Sequence, residues 1–155
     1  MSAEYQSRTT FYLNNAVDLF KAALLQSSLR RCWAALTHTC RCLTNLDAVL
    51  ENCPVAASHY AGLRSIPIKK IRGTEDKAQE FDADFKPLHE CSRDRWVGIA
   101  LQKLSGCSLP PVDLIQVGEV YFVRDGHHHI SVSHALGQDY IEAEITILQL
   151  RQKLI

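Results

Sequence analysis

Five consecutive residues carry the side chains best suited to chemistry: Asp125, Gly126, His127, His128 and His129. Imidazole can donate a hydrogen bond to an anion, shuttle a proton or bind a metal ion. The carboxylate can orient a histidine or hold a cation, and the glycine permits a sharp turn and close approach of a ligand to the backbone. We therefore predict that the functional site lies at this turn.

The elements around the turn explain why a ligand would bind there. Two β-rich runs, 114–117 and 120–123, flank a turn at Gly118 and predict a hairpin. Residues 127–136 predict a helix that Gly137 ends. The first N–H groups of a helix are unpaired, and its dipole favours negative charge, so the predicted site is suited to phosphate or carboxylate.

The remaining elements complete a small domain. We expect a short strand over 65–71, a loop or short helix over 73–84 and a helix over 93–104. A final strand over 140–147 alternates isoleucine or alanine with polar residues, which indicates one buried face. The prediction is an α/β (α+β) domain with a small mixed sheet and helices over residues 61–155.

Residues 1–60 predict a helical N-terminal segment, with a second helix over 45–51. Asn14 or Asn15 is the expected cap of the first helix. Two apolar stripes follow helical spacing across residues 11–37: Leu13, Val17, Phe20 and Leu24, then Leu25, Leu29, Cys32 and Leu36. Burying each large apolar side chain contributes roughly 1.5–3 kcal/mol. We therefore expect this helix to form a homodimer or a protein-partner contact through residues 13–36.

Charge and composition limit the classes of partner. Seventeen basic residues balance seventeen acidic ones, and residues 111–155 hold three basic and six acidic residues. DNA binding by this chain alone is therefore not expected, because it requires cations that neutralise several phosphates. No apolar stretch approaches the ~20 residues of a membrane span. The six cysteines form no C-x-x-C pair, and we expect reduced thiols in a cytoplasmic protein.

The run 121–137 resembles the nucleotide-site motif of the ParB/sulfiredoxin superfamily, which reads D-G-[NH]-H-R and continues into a helix ending A-x-G. Residues 65–75 resemble the family's first strand and the loop after it, so the resemblance covers more than half of the chain. It implies a ParB/sulfiredoxin-like fold. It also implies a site for nucleotide phosphates, which hold CTP in partition proteins and ATP in sulfiredoxins and free-serine kinases.

The resemblance assigns roles by position. Asp125, Gly126 and His128 match the motif, and His127 matches its D-G-H-H variant. Together with His129 they would bind ATP or CTP with Mg²⁺. Position 129 departs from the pattern, because the family has arginine there, an always-charged, forked phosphate ligand.

Catalysis is a further expectation from the same resemblance. Glu75 lies near the loop that supplies a catalytic carboxylate in the serine kinases, so Glu75 and His128 are the catalytic candidates. The expected chemistry is phosphoryl transfer or nucleotide hydrolysis, in which positioning and charge neutralisation dominate. Sulfiredoxin chemistry is not expected, because His127 occupies the place of the sulfiredoxin cysteine.

Two other functions stay open. The domain could be a degenerate, non-catalytic interaction module that lost nucleotide binding with the arginine and associates through its N-terminal helices. Less favoured is a metal-assisted nuclease that uses Asp125, His127, His129 and His134. No metal site is predicted, because residues two apart on a helix do not share a face.

Overall fold

The structure, a computed structural model, describes residues 2–39, 42–51 and 53–151. Its helices are α1 (Ser2–Thr37), α2 (Leu46–Leu50), α3 (Arg93–Leu104) and α4 (His127–Ala135). Its strands are β1 (Thr44–Asn45), β2 (Val55–Pro67), β3 (Ile71–Thr74), β4 (Val112–Val117), β5 (Val120–Asp125) and β6 (Tyr140–Leu150). Single 3₁₀ turns lie at Ile68–Lys70 and Glu90–Ser92.

The strands of this described part form one mixed sheet in the order β1-β3-β5-β4-β6-β2. β5 pairs antiparallel with β4 and parallel with β3, while β6 pairs parallel with β4 and antiparallel with β2. The mixed α/β class predicted from the sequence is confirmed. The sheet order places the end of β5, where the candidate turn begins, near the middle of the sheet.

The predicted hairpin, helix and final strand are confirmed. Val117 pairs with Val120 across the two-residue turn, in which Gly118 has φ +59°. α4 ends as expected before Gly137, which has φ +71° and donates its N–H to the carbonyl of His134 at 3.0 Å. Only glycine adopts such positive φ values without steric cost, which is why these turns could be located from the sequence.

Each face of the sheet has its own apolar cluster. One face packs beneath α4 and the 68–85 segment, and its buried residues include Val112, Leu114, Tyr121, Val123, Ile130, Ile141, Ala143 and Ile145. On the other face, Leu46 of α2 packs on Ile115 and Phe122. Successive strand residues thus point to opposite faces, as a pleated strand requires.

A second layer of helices covers α4. The rings of Phe20 in α1 and Trp96 in α3 are fully buried, with centroids 5.5 Å apart. The small residues Ala16 and Ala100 belong to the same buried cluster. Trp96 also donates its indole N–H to Ser131 Oγ in α4 at 2.8 Å. α3 therefore connects α1 to the helix that carries the candidate site.

α1 has a second apolar face that is largely exposed. Leu25, Leu29, Trp33 and Leu36 are 60%, 61%, 69% and 77% exposed, whereas Phe20 is 0% exposed. Phe20, Val17 and Leu24 of the first stripe belong to a core cluster, whereas the second stripe is rotated away from it, so the two stripes do not form one contact surface for a partner. Across the described ranges, no helix has both the length and the apolarity needed to cross a membrane.

Two predicted boundaries are also wrong. α1 begins at Ser2, so Asn14 and Asn15 lie inside the helix and do not cap it. The strand predicted over 65–71 is instead the end of β2, a 3₁₀ turn and the start of β3. β2 crosses residue 60, so the segment predicted as helical also contains β1 and half of β2. Pairing along β6 extends β2 over residues 55–60, whose exposed side chains show no alternation of burial.

Candidate functional site

The candidate turn links β5 directly to α4. β5 ends at Asp125, α4 begins at His127, and Gly126 between them has φ +99° and ψ 21°. A Cβ atom on Gly126 would lie 2.5 Å from Cγ1 of Val112 in β4. The glycine is therefore required by its backbone conformation and by the neighbouring strand, in addition to any ligand.

His127 anchors the loop after β3 to the start of α4. Its Nε2 lies 2.7 Å from Thr74 Oγ1, and the backbone N–H groups of Lys77 and Asp76 donate to the same oxygen at 3.1 and 3.3 Å. Because those two bonds occupy both lone pairs of the hydroxyl, Thr74 donates its proton to Nε2. The His127 ring also stacks on Phe81, with centroids 6.0 Å apart.

This environment keeps His127 neutral. Burial lowers its pKa to about 4, and the positive charge of Lys77 acts in the same direction. Only 2% of the residue is exposed. A neutral imidazole has one ring nitrogen without a proton, so Nε2 can accept the hydrogen bond from Thr74. This histidine therefore holds the loop after β3 in place.

His128 is one of two residues, with Gln116, that have a buried side-chain polar atom without a hydrogen-bond partner among the described residues. It is 7% exposed, and its ring meets Phe81 edge-on with centroids 5.2 Å apart. Its Nδ1 is buried and has no hydrogen-bond partner among the described residues. Burial and, secondarily, the charges of Arg95 and Lys77 lower the pKa of His128. A buried nitrogen without a partner costs about 1–3 kcal/mol, which a bound ligand or water would offset.

His129 does not replace the family's arginine as a cation. It is partly buried, and the backbone of Pro110 lies near its ring. Burial, together with the nearby charge of Lys103, lowers its pKa to about 4. At neutral pH the side chain therefore adds no positive charge to the turn.

A cavity of about 270 Å³ lies in front of the turn. Each residue from Asp125 to His129 contributes to its wall. Its positive charges come from Lys77, after β3, and Arg95, in the first turn of α3. The rest of its wall is mainly apolar, formed by Ile99, Leu109, Pro110, Pro111 and Val112. The cavity thus combines a cationic edge with an apolar surface.

Sequence analysis missed Lys77, Arg95 and Gln102 of this wall. Arg95, Ile99 and Gln102 are spaced i, i+4 and i+7 on α3, so they share one face of that helix. This spacing is visible in the sequence. It could not be assigned to the site without knowing that α3 packs beside α4.

The structure does not bring Glu75 into the cavity. Its carboxylate lies 3.3 Å from Arg124 Nε, and its N–H donates to the carbonyl of Val123 at 2.9 Å. Arg124 is also 3.9 Å from Asp113, so the three residues form an ion-pair group at the end of the sheet. Glu75 therefore lies beside the site, and its catalytic role stays a prediction.

The residues considered as metal ligands are separated. Asp125 and His129 line the cavity, His127 is bonded to Thr74, and His134 is exposed on the last turn of α4 outside the cavity. Within the residues that the structure describes, no three His, Cys, Asp or Glu side chains are arranged to hold a metal ion. The geometry gives no support to the nuclease alternative.

Comparison with known proteins gives one distant likeness. No family model matches the chain, and no curated protein matches it. Among solved structures, the chain is similar to sulfiredoxin from Arabidopsis thaliana, with a TM-score of 0.37 and 20% sequence identity. The match covers 54% of this chain and 82% of that chain. A likeness this distant carries no argument about function.

Proposed function

We propose that this protein binds a phosphorylated small ligand, a nucleoside triphosphate such as ATP or CTP, at the 125–129 turn. The observation that supports this most directly is the buried, unpartnered Nδ1 of His128 beside a cavity that Lys77 and Arg95 make cationic. The turn also opens α4, whose unpaired N–H groups and dipole favour an anion. The two cations and the helix terminus both favour a negatively charged ligand.

The charged and the apolar parts of the cavity wall are suited to different parts of a nucleotide. Lys77 and Arg95 are suited to phosphate oxygens, because a guanidinium and an ammonium form short, charge-assisted hydrogen bonds with them. The apolar surface from Ile99 to the prolines is suited to a nucleobase. Arg95 lines the same cavity as His129 and provides a permanent positive charge there, which the neutral His129 does not.

Mg²⁺ fits the same arrangement. This ion is usually held by one or two carboxylates together with substrate phosphates. Asp125 is exposed and lines the cavity, so it is the side chain that would contact the ion. The bound ion would neutralise phosphate charge, which is the contribution it makes to phosphoryl transfer or nucleotide hydrolysis.

A second function has support from another surface. The exposed stripe Leu25, Leu29, Trp33 and Leu36 of α1 favours a protein-association role for the N-terminal region. This interaction module and nucleotide binding use different parts of the molecule. They become alternatives only if the cavity binds nothing.

A thermal-shift panel tests the proposal. ATP, CTP and inorganic phosphate are compared, each with and without Mg²⁺. A ligand at ~100 times its dissociation constant stabilises the fold by ~2.7 kcal/mol, so at least one triphosphate should raise the melting temperature clearly. If no nucleotide or phosphate compound at millimolar concentration moves it, the binding proposal fails and the interaction module becomes the leading function.

A further inference from the structure

A second cavity lies between the C-terminal half of α1 and the loop over residues 78–88. Its volume is about 460 Å³, against about 270 Å³ for the cavity at the turn. One wall is the inner face of α1, where Ser27, Arg30, Arg31 and Ala34 follow helical spacing. The opposite wall includes Ala78, Phe81 and Leu88. Cavities of this size hold small organic ligands, and the proposed function leaves this one unused.

Two polar contacts join the helix to the loop on either side of the apolar gap. The hydroxyl of Ser27, which is 1% exposed, donates to the carbonyl of Pro87 at 2.7 Å. Arg30 forms an ion pair with Asp84. These contacts fix the distance between the two walls. The small side chains of Ala34 and Ala78 then leave the space between the walls unfilled.

The 78–88 loop forms its wall of the cavity without a ligand. Oδ1 of Asp82 accepts the N–H groups of Asp84 and Lys86, each at 2.9 Å. The N–H of Asp82 donates to the carbonyl of Lys86 at 3.0 Å, and Phe81 is fully buried. A ligand therefore meets a surface that exists before binding, which reduces the entropic cost of ordering that surface.

The charges around the second cavity favour one class of ligand. The carboxylate of Asp82 is bonded to the backbone of its own loop, and Arg30 is paired with Asp84. Arg31 is exposed and lines the cavity, and it forms no ion pair within the residues that the structure describes. The cavity thus combines one uncompensated cation with a mainly apolar surface.

We propose that the second cavity binds a small amphipathic carboxylate, a molecule with one negative charge and an apolar body. The carboxylate pairs with Arg31, and the apolar body lies against Ala34, Ala78 and Leu88. Phe81 lines this cavity and also contacts the rings of His127 and His128. The ligand therefore touches a side chain that supports the candidate turn, although it occupies a different site and does not require a nucleotide.

Three probes with the same alkyl chain test the proposal on the full chain: octanoate, octan-1-ol and octylammonium. Calorimetry gives their affinities. Because an exposed ion pair contributes modestly, we expect octanoate to bind about five-fold more tightly than octan-1-ol, and octylammonium to bind most weakly. Intermolecular NOEs should connect the chain of octanoate with the methyl groups of Ala34, Ala78 and Leu88. Equal affinities of octanoate and octan-1-ol, or the absence of these NOEs, would overturn the proposal.

Variants of the two walls connect the affinity to its cause. Arg31→Gln should lower the affinity for octanoate to that for octan-1-ol, whereas Arg8→Gln, at another exposed position of α1, should leave it unchanged. Ala34→Leu should abolish binding of all three probes, because leucine is a good helix former that fills part of the cavity. A folded Ala34→Leu protein that still binds octanoate would overturn the site. Where this variant does not fold, Arg31→Gln and the NOEs decide.

Two further variants separate this cavity from the other surfaces that could hold octanoate. Arg95→Gln should keep the affinity, because Arg95 lines the cavity at the turn and not this one. Leu29→Ser with Trp33→Ser should also keep it, because these residues belong to the exposed stripe. A loss in either variant would assign octanoate to that other surface and overturn the proposal. A failure of ATP and CTP to bind would end the proposed function and leave these expectations unchanged.

Discussion

The hydroxyl of Thr74 donates a hydrogen bond to Nε2 of His127 across 2.7 Å, and it joins the end of β3 to the first residue of α4. The same oxygen accepts the N–H of Lys77 at 3.1 Å. One threonine thus positions the start of the candidate helix and the backbone that carries one of its two cations. The two residues are 53 positions apart in the sequence. Neither the segment around Thr74 nor the 125–129 turn, taken alone, therefore reveals the contact.

Thr74→Val should destabilise the fold and weaken the site. The change keeps the shape of the side chain but leaves Nε2 of His127 buried without a partner, which costs about 1–3 kcal/mol. Urea unfolding measures this loss. Thr10→Val is the control, because the hydroxyl of Thr10 donates only to the carbonyl of Gln6, in an exposed part of α1. Equal stability losses in the two variants would contradict the anchoring role.

The free energy of unfolding should fall in acid because of His127. Its pKa is about 4 in the folded protein against an ordinary value of 6.5. Between these values the unfolded chain binds more protons, so stability is full above pH 6.5 and is lost as the pH falls towards 4. The loss from this residue is on the order of 3 kcal/mol.

Urea unfolding across that pH range, with NMR titration of the imidazole signals, tests this expectation. His127→Gln should make the profile less steep, with the lowered pKa values of His128 and His129 retaining part of the slope, whereas His59→Gln, at an exposed position in β2, should leave it unchanged. Where His127→Gln does not fold, the NMR titration decides alone. A His127 signal that titrates near pH 6.5 in the folded protein would contradict the assigned environment.

Arg95→Gln should weaken nucleotide binding by about ten-fold or more, because a charge-assisted hydrogen bond to phosphate is lost in a partly enclosed site. Calorimetry with ATP and Mg²⁺ gives the affinity. Arg93→Gln is the matched control, since Arg93 lies on the same first turn of α3 but does not line the cavity. An unchanged affinity in Arg95→Gln, or an equal loss in Arg93→Gln, would remove this arginine from the binding site.

The environment of His129 alters the pH dependence of ligand affinity that its position in the motif would predict. A phosphate-facing histidine with an ordinary pKa would strengthen binding as the pH falls through about 6.5. The pKa of His129 is about 4, because the ring is partly buried and lies near Lys103. We therefore expect the ratio of affinities of the wild type and His129→Gln to stay constant between pH 6 and 8.

Comparing two proteins with the same ligand cancels the titration of the ligand's own phosphate. Calorimetry with ATP at several pH values provides the ratio. A ratio that rises towards low pH would show that His129 becomes protonated beside the ligand. In that case His129→Arg, which carries its charge at every pH, should strengthen binding at pH 8.

The sequence predicted best where local chemistry determines structure. Gly118, Gly126 and Gly137 all adopt the positive φ that their turns require, and the alternating residues of β6 have one buried face. The five residues of the candidate turn likewise line one cavity. Each of these features depends on neighbours in the chain, which the sequence shows directly.

The parts that the sequence did not reveal depend on long-range contacts. Lys77 and Arg95 reach the cavity only because the loop after β3 and helix α3 pack beside α4. β2 extends to Val55 because β6 offers a partner along its whole length, although residues 55–60 lack alternation. Glu75 was selected by its place in a motif, whereas Glu80, five residues later, lines a cavity with His128. Spacing in the sequence could not distinguish the two acids.

The exposed stripe of α1, formed by Leu25, Leu29, Trp33 and Leu36, should mediate self-association. The inner face of the helix is part of the core, through Phe20 and its contact with Trp96. Deleting residues 1–60 would uncover that tryptophan and remove half of β2, so we expect the truncated chain not to fold. The contact is better tested by substitutions that leave the inner face unchanged.

Leu29→Ser with Trp33→Ser removes the centre of the exposed stripe, since these side chains are 61% and 69% exposed. Because both side chains are largely exposed, the two substitutions should leave the melting temperature of the monomer unchanged. It should also shift the mass in light scattering from dimer to monomer, and its response to ATP should not change. Phe20→Ala is the contrasting variant, which should cost roughly 3–5 kcal/mol of stability. A wild-type chain that stays monomeric at high micromolar concentration would exclude the homodimer, and the stripe would then require a different protein partner.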